Sequence, residues 1–171
     1  NIDNPRNLKE LLKSLNELAN EYSYRIIIST HPRTKKNIKK YADFKKNKML
    51  EFLDPFSFTD YLMLQKSALC VLSDSGTITE EAALLGLSAI TIRETHERQE
   101  GMDSGTLIMS GLKSKRILES VKTIIDQNNK NQKSKNLVMD YETNINVSKQ
   151  ITRIVLSYID YVNDKVWFKN K

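Results

Sequence analysis

Between Ala68 and Ile92 the chain passes through an apolar run, a Ser/Gly turn, a helix-length segment stopped by Gly86 and a second apolar run. Leu69 to Leu72 reads as a strand, Ser73-Asp74-Ser75-Gly76 as the turn, Thr77 to Leu85 as a helix and Ser88 to Ile92 as the next strand. A helix that joins two such strands makes the crossover of a parallel sheet.

The flanking sequence repeats the alternation. After Pro5, a first-turn proline, Leu8, Leu11, Leu12, Leu15 and Leu18 recur at helical spacing. Tyr24 to Thr30 reads as a strand ending at His31-Pro32, followed by a basic helical segment to about Tyr41. Met49 to Leu53 is a short strand ended by Asp54-Pro55. Ser57 or Thr59 caps a helix through about Lys66, with Phe58, Tyr61, Leu62 and Leu64 as its apolar surface. Thr106 to Met109 is a fifth strand, and a helix follows from about Lys113 to Asn128. The expected fold is α/β, a Rossmann-like parallel sheet with helices on both faces, over residues 1–145. Residues 127–136 are a polar connection. Residues 146–171 hold a long final helix, about Val147 to Trp167, with Ile151, Ile154, Val155, Tyr158, Ile159, Val162 and Trp167 along one side.

At 171 residues the chain is long enough to bury a core. No apolar run approaches the ~20 residues that span a bilayer, so no membrane segment is expected. Asn1-Ile2-Asp3-Asn4-Pro5 carries no signal-peptide pattern and no initiator Met, so the chain reads as part of a longer one. The lone Cys70 lies in an apolar run. It reads as a buried, inert thiol and fits a reducing, cytoplasmic compartment. The net charge of +6 invites a nucleic-acid reading that its distribution opposes. Residues 51–105 hold 3 basic against 10 acidic side chains, a poor surface for a phosphate backbone. The lysines between Lys35 and Lys48 read as a solvated face.

Ligands of parallel sheets sit at the carboxyl ends of the strands. The loops expected there are His31-Pro32, Asp54-Pro55-Phe56, Ser73 to Gly76 and Arg93 to Gly105. A Ser/Gly turn before a helix suits an anion, because first-turn N–H groups and the helix dipole both favour one. Gly76 permits close backbone approach and Ser75 supplies a hydroxyl. Plain helix capping explains the same residues equally well, since Thr77-x-x-Glu80 fits a capping box. Glu80 and Glu81 also complement the dipole; helical geometry puts Glu81 or Thr77 beside the cleft and Glu80 toward water. Arg98, with a forked guanidinium, suits a diphosphate at the Ser75 turn. His96, one histidine among unspaced carboxylates, matches no metal-ligand pattern. No dinucleotide fingerprint, Walker motif or nucleophile elbow is present.

S-D-S-G-T-I-T-E-E-A-A-L-L-G (73–86), a strand, and then R-E-T-H-E-R-Q-E-G-M-D-S-G-T (93–106) resemble the non-hydrolysing UDP-N-acetylglucosamine 2-epimerases. Their two linked signatures are T-D-S-G-G-x-Q-E-E and R-x-x-T-E-R-P-E-x-x-x-x-G-T. The H-E-R form, the S-D-S-G-T run and the long final helix are similar to the branch that acts on UDP-2-acetamido-2,6-dideoxy-L-talose in capsule and O-antigen synthesis. The resemblance implies the C-terminal, nucleotide-binding half of a GT-B architecture. The N-terminal half, with the catalytic groups, would lie upstream, and the family's H-R-x-E-N motif would end about at Asn1. It further implies UDP or a UDP-N-acetylated amino sugar as ligand, no cofactor and no metal, and a homodimer at full length.

By position, the resemblance makes Ser75 and Gly76 the diphosphate turn with Thr77 beside it. It makes Glu81 the carboxylate on the ribose hydroxyls and Arg98 the arginine at the nucleotide. Phe56 falls where uracil binds, and Tyr61 at an aromatic position beside the base. Thr77 replaces a second glycine and Gln99 a proline of the pattern. The implied reaction inverts sugar C2 by eliminating UDP across C1–C2 to a glycal and adding it back. It needs a base for the C2 proton and stabilisation of the departing diphosphate. Rival readings are the donor-binding half of a GT-B glycosyltransferase and a non-catalytic UDP-sugar-binding module.

Overall fold

Asn4 and Pro5 start the first helix by local chemistry. The Asn4 side chain accepts from the Arg6 amide at 2.9 Å, and Pro5 fills a first-turn position where no N–H is needed. Helix α1 (Pro5–Tyr22) buries Leu8, Leu12, Leu15, Leu18 and Ala19 and ends at Ser23, a left-handed C-cap with φ 54°. It opens a computed structural model that describes residues 4–40, 47–95, 97–129 and 147–169. Two units are distinguished, Asn1–Tyr141 and Glu142–Lys171.

In the first unit, α1 is followed by β1 (Ile26–Ser29), α2 (Pro32–Lys40), β2 (Leu50–Leu53), α3 (Phe58–Ser67) and β3 (Val71–Ser73). Then come α4 (Ile78–Leu85), β4 (Ala89–Thr91), α5 (Glu100–Asp103), β5 (Leu107–Met109) and α6 (Ser114–Asn129). Every ladder is parallel. Ile28 pairs with Phe52, and Leu72, Ile90 and Ile108 lie abreast across β3, β4 and β5.

The strand β4 shows why the sheet needs helices on both faces. Ala89 points into a cluster with Ile78, Ala82, Leu87 and Leu107. Ile90, one residue on, points into the opposite cluster with Leu18, Leu112, Ile117, Val121 and Ile124. Thus α4 covers one face, and α1 with α6 the other. Full burial of residues such as Ile90 and Ile117 is worth roughly 1.5–3 kcal/mol each.

The structure departs from expectation in particular places. The hydrogen-bonded strands form two sets, β1–β2 and β3–β4–β5, instead of one continuous ladder. The sets meet through side chains, Leu72 of β3 and Ile26 and Ile28 of β1 packing against one cluster of Leu15, Ala19 and Leu50. Strand β3 is short and starts at Val71, leaving Leu69 exposed. Phe58, expected in the apolar surface of α3, is 75% exposed, whereas the buried residue of that helix is Gln65. The loop after β4 contains the short helix α5. Part of the polar 127–136 connection lies outside the described residues.

The second unit contains α7 (Val147–Tyr161), none of whose residues is buried. The last turn of the expected Val147–Trp167 helix widens to a π-helix over Val162–Val166, closed by Trp167 N–H donating to the Val162 carbonyl at 2.9 Å. Lys169 lies 4.4 Å from the Trp167 ring centroid.

Candidate functional site

The end of β3 and the start of α4 are joined by a chain of short polar contacts. Ser75 N–H donates to Ser73 Oγ at 3.1 Å, Thr77 N–H donates to Ser75 Oγ at 3.3 Å, and the Ser75 and Thr77 hydroxyls meet at 2.8 Å. The capping box, one of the two readings the sequence leaves open, is not formed, and Thr77 makes no side-chain cap bond. Its hydroxyl instead donates to Glu81 Oε1 at 2.7 Å, one helical turn ahead. A hydroxyl spent on its own helix leaves the first-turn N–H groups of α4 without that cap, as an anion site needs.

Glu81 is held from the other side as well. Gln65 Nε2, on α3, donates to Glu81 Oε2 at 2.7 Å. Tyr61, one turn earlier on α3, shares hydrogen bonds with Ser73 and Gln65. Burial, then the charges of Glu81 and Asp74, push its phenol above the usual tyrosine range. One network therefore ties Tyr61, Gln65, Ser73, Ser75, Thr77 and Glu81 together across α3, β3 and α4. A carboxylate has about four lone-pair positions, so these two bonds leave Glu81 able to accept from a pair of ligand hydroxyls.

Arg98 lies on the opposite flank. Its Nε is 2.8 Å from Glu80 Oε1, so Glu80 does not face water as expected but lies half-buried, paired with Arg98. The 100° step between neighbouring helix positions turns Glu80 toward the β4–α5 loop and Glu81 toward α3. The Arg98 guanidinium reaches over Gly76, where a Cβ would sit 2.6 Å from Arg98 Nη1 and 3.2 Å from Arg93 Nη1. Only a residue without a side chain admits both guanidinium groups so close to the turn. Gly76 and Arg98, both expected at the site, are brought together, and Arg93 joins them. Two guanidinium groups beside a helix N-terminus suit an anion, with Glu80 holding one of them in place.

The sequence pattern alone does not mark Arg93, Gln65 or the pairing role of Glu80 as site features. For Arg93 a signal existed: Lys66, Arg93 and Arg98 are the basic residues of the acidic 51–105 segment, and two of them converge on Gly76. Gln65 offered no such signal, because its burial depends on partners in α4. Phe56 is half-buried in the β2–α3 loop, and Ser57 beside it caps α3 by accepting from the Asp60 amide at 3.2 Å. Among the described residues no group of three or more His, Cys, Asp or Glu side chains is placed to hold a metal, and His96 lies outside them. No helix among them is long and apolar enough to cross a membrane.

Residues 1–156 match the family described as UDP-N-acetylglucosamine 2-epimerase. The chain belongs to the UDP-N-acetylglucosamine 2-epimerase family. The solved structure of such an epimerase from Rickettsia bellii is similar to it at 57% identity and a TM-score of 0.80, over 95% of this chain and 44% of that one. The Methanocaldococcus jannaschii enzyme, solved in complex with UDP-GlcNAc and UDP, is similar at 31% identity and a TM-score of 0.74, over 92% of this chain and 42% of that one. A curated epimerase sequence from the same organism is 35% identical over 130 residues, which is 74% of this chain and 36% of the relative. The chain thus spans less than half the length of these family members.

Proposed function

We propose that this chain is the UDP-binding part of a UDP-N-acetylated amino sugar 2-epimerase, and that it holds the nucleotide which leaves and returns during inversion at C2. The observation that carries this reading is the convergence of Arg93 and Arg98 on Gly76 at the start of α4, with Glu81 clamped beside them. The diphosphate sits on the Ser75–Gly76–Thr77 turn under the two guanidinium groups. Glu81 accepts from the ribose hydroxyls, and Phe56 and Tyr61 border the uracil.

The charge that develops on the diphosphate as the C1–O bond breaks is met by Arg98, Arg93 and the α4 N-terminus, which are in place before the reaction begins. The glutamates of this cluster are engaged, Glu80 by Arg98 and Glu81 by Thr77 and Gln65, and neither is assigned as the base for the C2 proton. That base and the return acid belong to another part of the polypeptide, in keeping with the fraction of the relatives that this chain spans. The exposed apolar side of α7 fits a crossing to that other part. The single Cys70 fits a reducing cytoplasm, and the sugar's role in a surface polysaccharide follows from the branch that the 73–106 motifs resemble.

Titration calorimetry tests the assignment. Arg98→Ala removes charge-assisted hydrogen bonds worth roughly 1.5–3 kcal/mol, so UDP weakens about ten- to hundredfold while uridine, without phosphates, keeps its affinity. Glu81→Gln weakens UDP and uridine by similar factors. Equal losses for UDP and uridine in Arg98→Ala would show that the arginine does not meet phosphate.

A further inference from the structure

The Gln65 side chain is the part of this network that no ligand role accounts for. It is 4% exposed, sits on α3 among Tyr61, Ser73 and Glu81, and is the buried residue of its helix. A glutamine in that position is costly to desolvate unless its amide is used. Its Nε2 is used, on Glu81 Oε2 at 2.7 Å, while its Oε1 is buried without a hydrogen-bond partner. A leucine would fill the same space with no orphaned acceptor. The residue is explained by what its amide does to the carboxylate.

Glu81 alone in a first turn would sample several rotamers. Here each of its oxygens has one fixed donor, Thr77 Oγ1 from its own helix and Gln65 Nε2 from the neighbouring one. Two donors on different elements fix both the position and the plane of the carboxylate. Thr77 is itself held by Ser75 in the phosphate turn, so the carboxylate plane is registered to the diphosphate position as well.

We propose that Gln65 is a positioning residue that sets the Glu81 carboxylate for a vicinal pair of ribose hydroxyls, and so determines selectivity for ribonucleotides over ligands lacking those hydroxyls. The proposal rests on the reading of Glu81 as the ribose ligand. Gln65 itself touches no ligand; it acts through Glu81.

The test compares UDP with 2′,3′-dideoxy-UDP by calorimetry on the 171-residue chain, with Gln65→Leu, the straighter Gln65→Met, Glu81→Gln and the double variant Gln65→Met/Glu81→Gln. Gln65→Met is expected to weaken UDP about five- to thirtyfold and to leave the dideoxy ligand within twofold, and to add nothing in the Glu81→Gln background. Equal weakening of both ligands would show a merely structural role and overturn the proposal. So would retained discrimination in Gln65→Met while Glu81→Gln abolishes it. Retained discrimination in Glu81→Gln itself overturns the ribose reading of Glu81, a separate failure. If Gln65→Leu does not fold, Gln65→Met decides; if neither folds, Gln65 is a folding residue and the positioning role is refuted.

Discussion

Gly76→Ala is the substitution that separates binding from stability most cleanly. Gly76 is not among the residues with positive φ, so alanine adopts its backbone conformation without strain. The new Cβ would lie 2.6 Å from Arg98 Nη1 and 3.2 Å from Arg93 Nη1. Both are the far ends of flexible side chains, which move aside at little cost to folding. An alanine that fits its backbone also stabilises through the unfolded chain, by about 0.4–1 kcal/mol. The expected melting temperature is therefore unchanged or raised by about 1–4 °C. The guanidinium groups, however, are pushed off the turn proposed to hold the diphosphate. Loss of one charge-assisted hydrogen bond costs roughly 1.5–3 kcal/mol, an approximately ten- to hundredfold weaker UDP. Calorimetry with UDP and uridine, and thermal unfolding by circular dichroism, read the two effects separately. Adding Arg98→Ala to Gly76→Ala is expected to cost little more, because the first change has already displaced that arginine. UDP affinity within twofold of the unmodified protein would refute the reasoning. So would a loss of stability above about 1 kcal/mol, which would show the arginines to be fixed parts of the fold.

Gly101→Ala is expected to do the reverse: its Cβ would lie 2.8 Å from Leu107 Cδ2 and against the Thr79 methyl, both in the core, so urea unfolding is expected to show a loss of about 1–3 kcal/mol with UDP affinity of the folded protein unchanged. Cys70 is partly rather than fully buried, and burial pushes its thiol from an ordinary 9.0 up to about 12, so it is expected to react with a disulfide reagent at pH 8 more slowly than in the urea-unfolded chain. The unfolded state releases that proton first, near pH 9. Stability relative to Cys70→Ala is therefore full below pH 9 and falls between about pH 9 and 12, measurable as the difference between the two urea midpoints across that range.

What was legible in the sequence is what depends on a few neighbouring residues. Pro5, Ser57 and Gly86 mark helix ends through their own backbone and side-chain chemistry, and the structure uses all three; Gly86 ends α4 at φ 64°. The two faces of β4 follow from Ala89 and Ile90 both being apolar. The pieces that escaped are decided by partners far along the chain. Phe58 and Gln65 lie on one helix, and local polarity argues for burying the first. Burial of Gln65 is instead decided by Glu81, sixteen residues on, whose carboxylate accepts a hydrogen bond from its amide. The Thr77 hydroxyl, which a capping box would set to accept from a first-turn amide, makes no cap bond. It donates to Glu81, which Gln65 of α3 holds within reach, while also meeting the Ser75 hydroxyl at 2.8 Å.

The adjacent pair Glu80-Glu81 shows how a local motif acquires two separate roles. Sequence reasoning set one carboxylate at the cleft and the other in water, because both cannot face one direction on a helix. The directions do differ, by about 100°, but neither is idle. Glu80 reaches the β4–α5 loop and holds Arg98; Glu81 reaches α3 and is held by Gln65. The first turn of α4 thus fastens two flanking segments, one bringing positive charge to the proposed phosphate position and the other fixing a carboxylate at the proposed ribose position. Insertion of one residue between Gly76 and Glu80 would rotate both carboxylates by that same step and unfasten both segments together. The spacing from the turn to the pair is therefore as much a part of the site as the residues themselves.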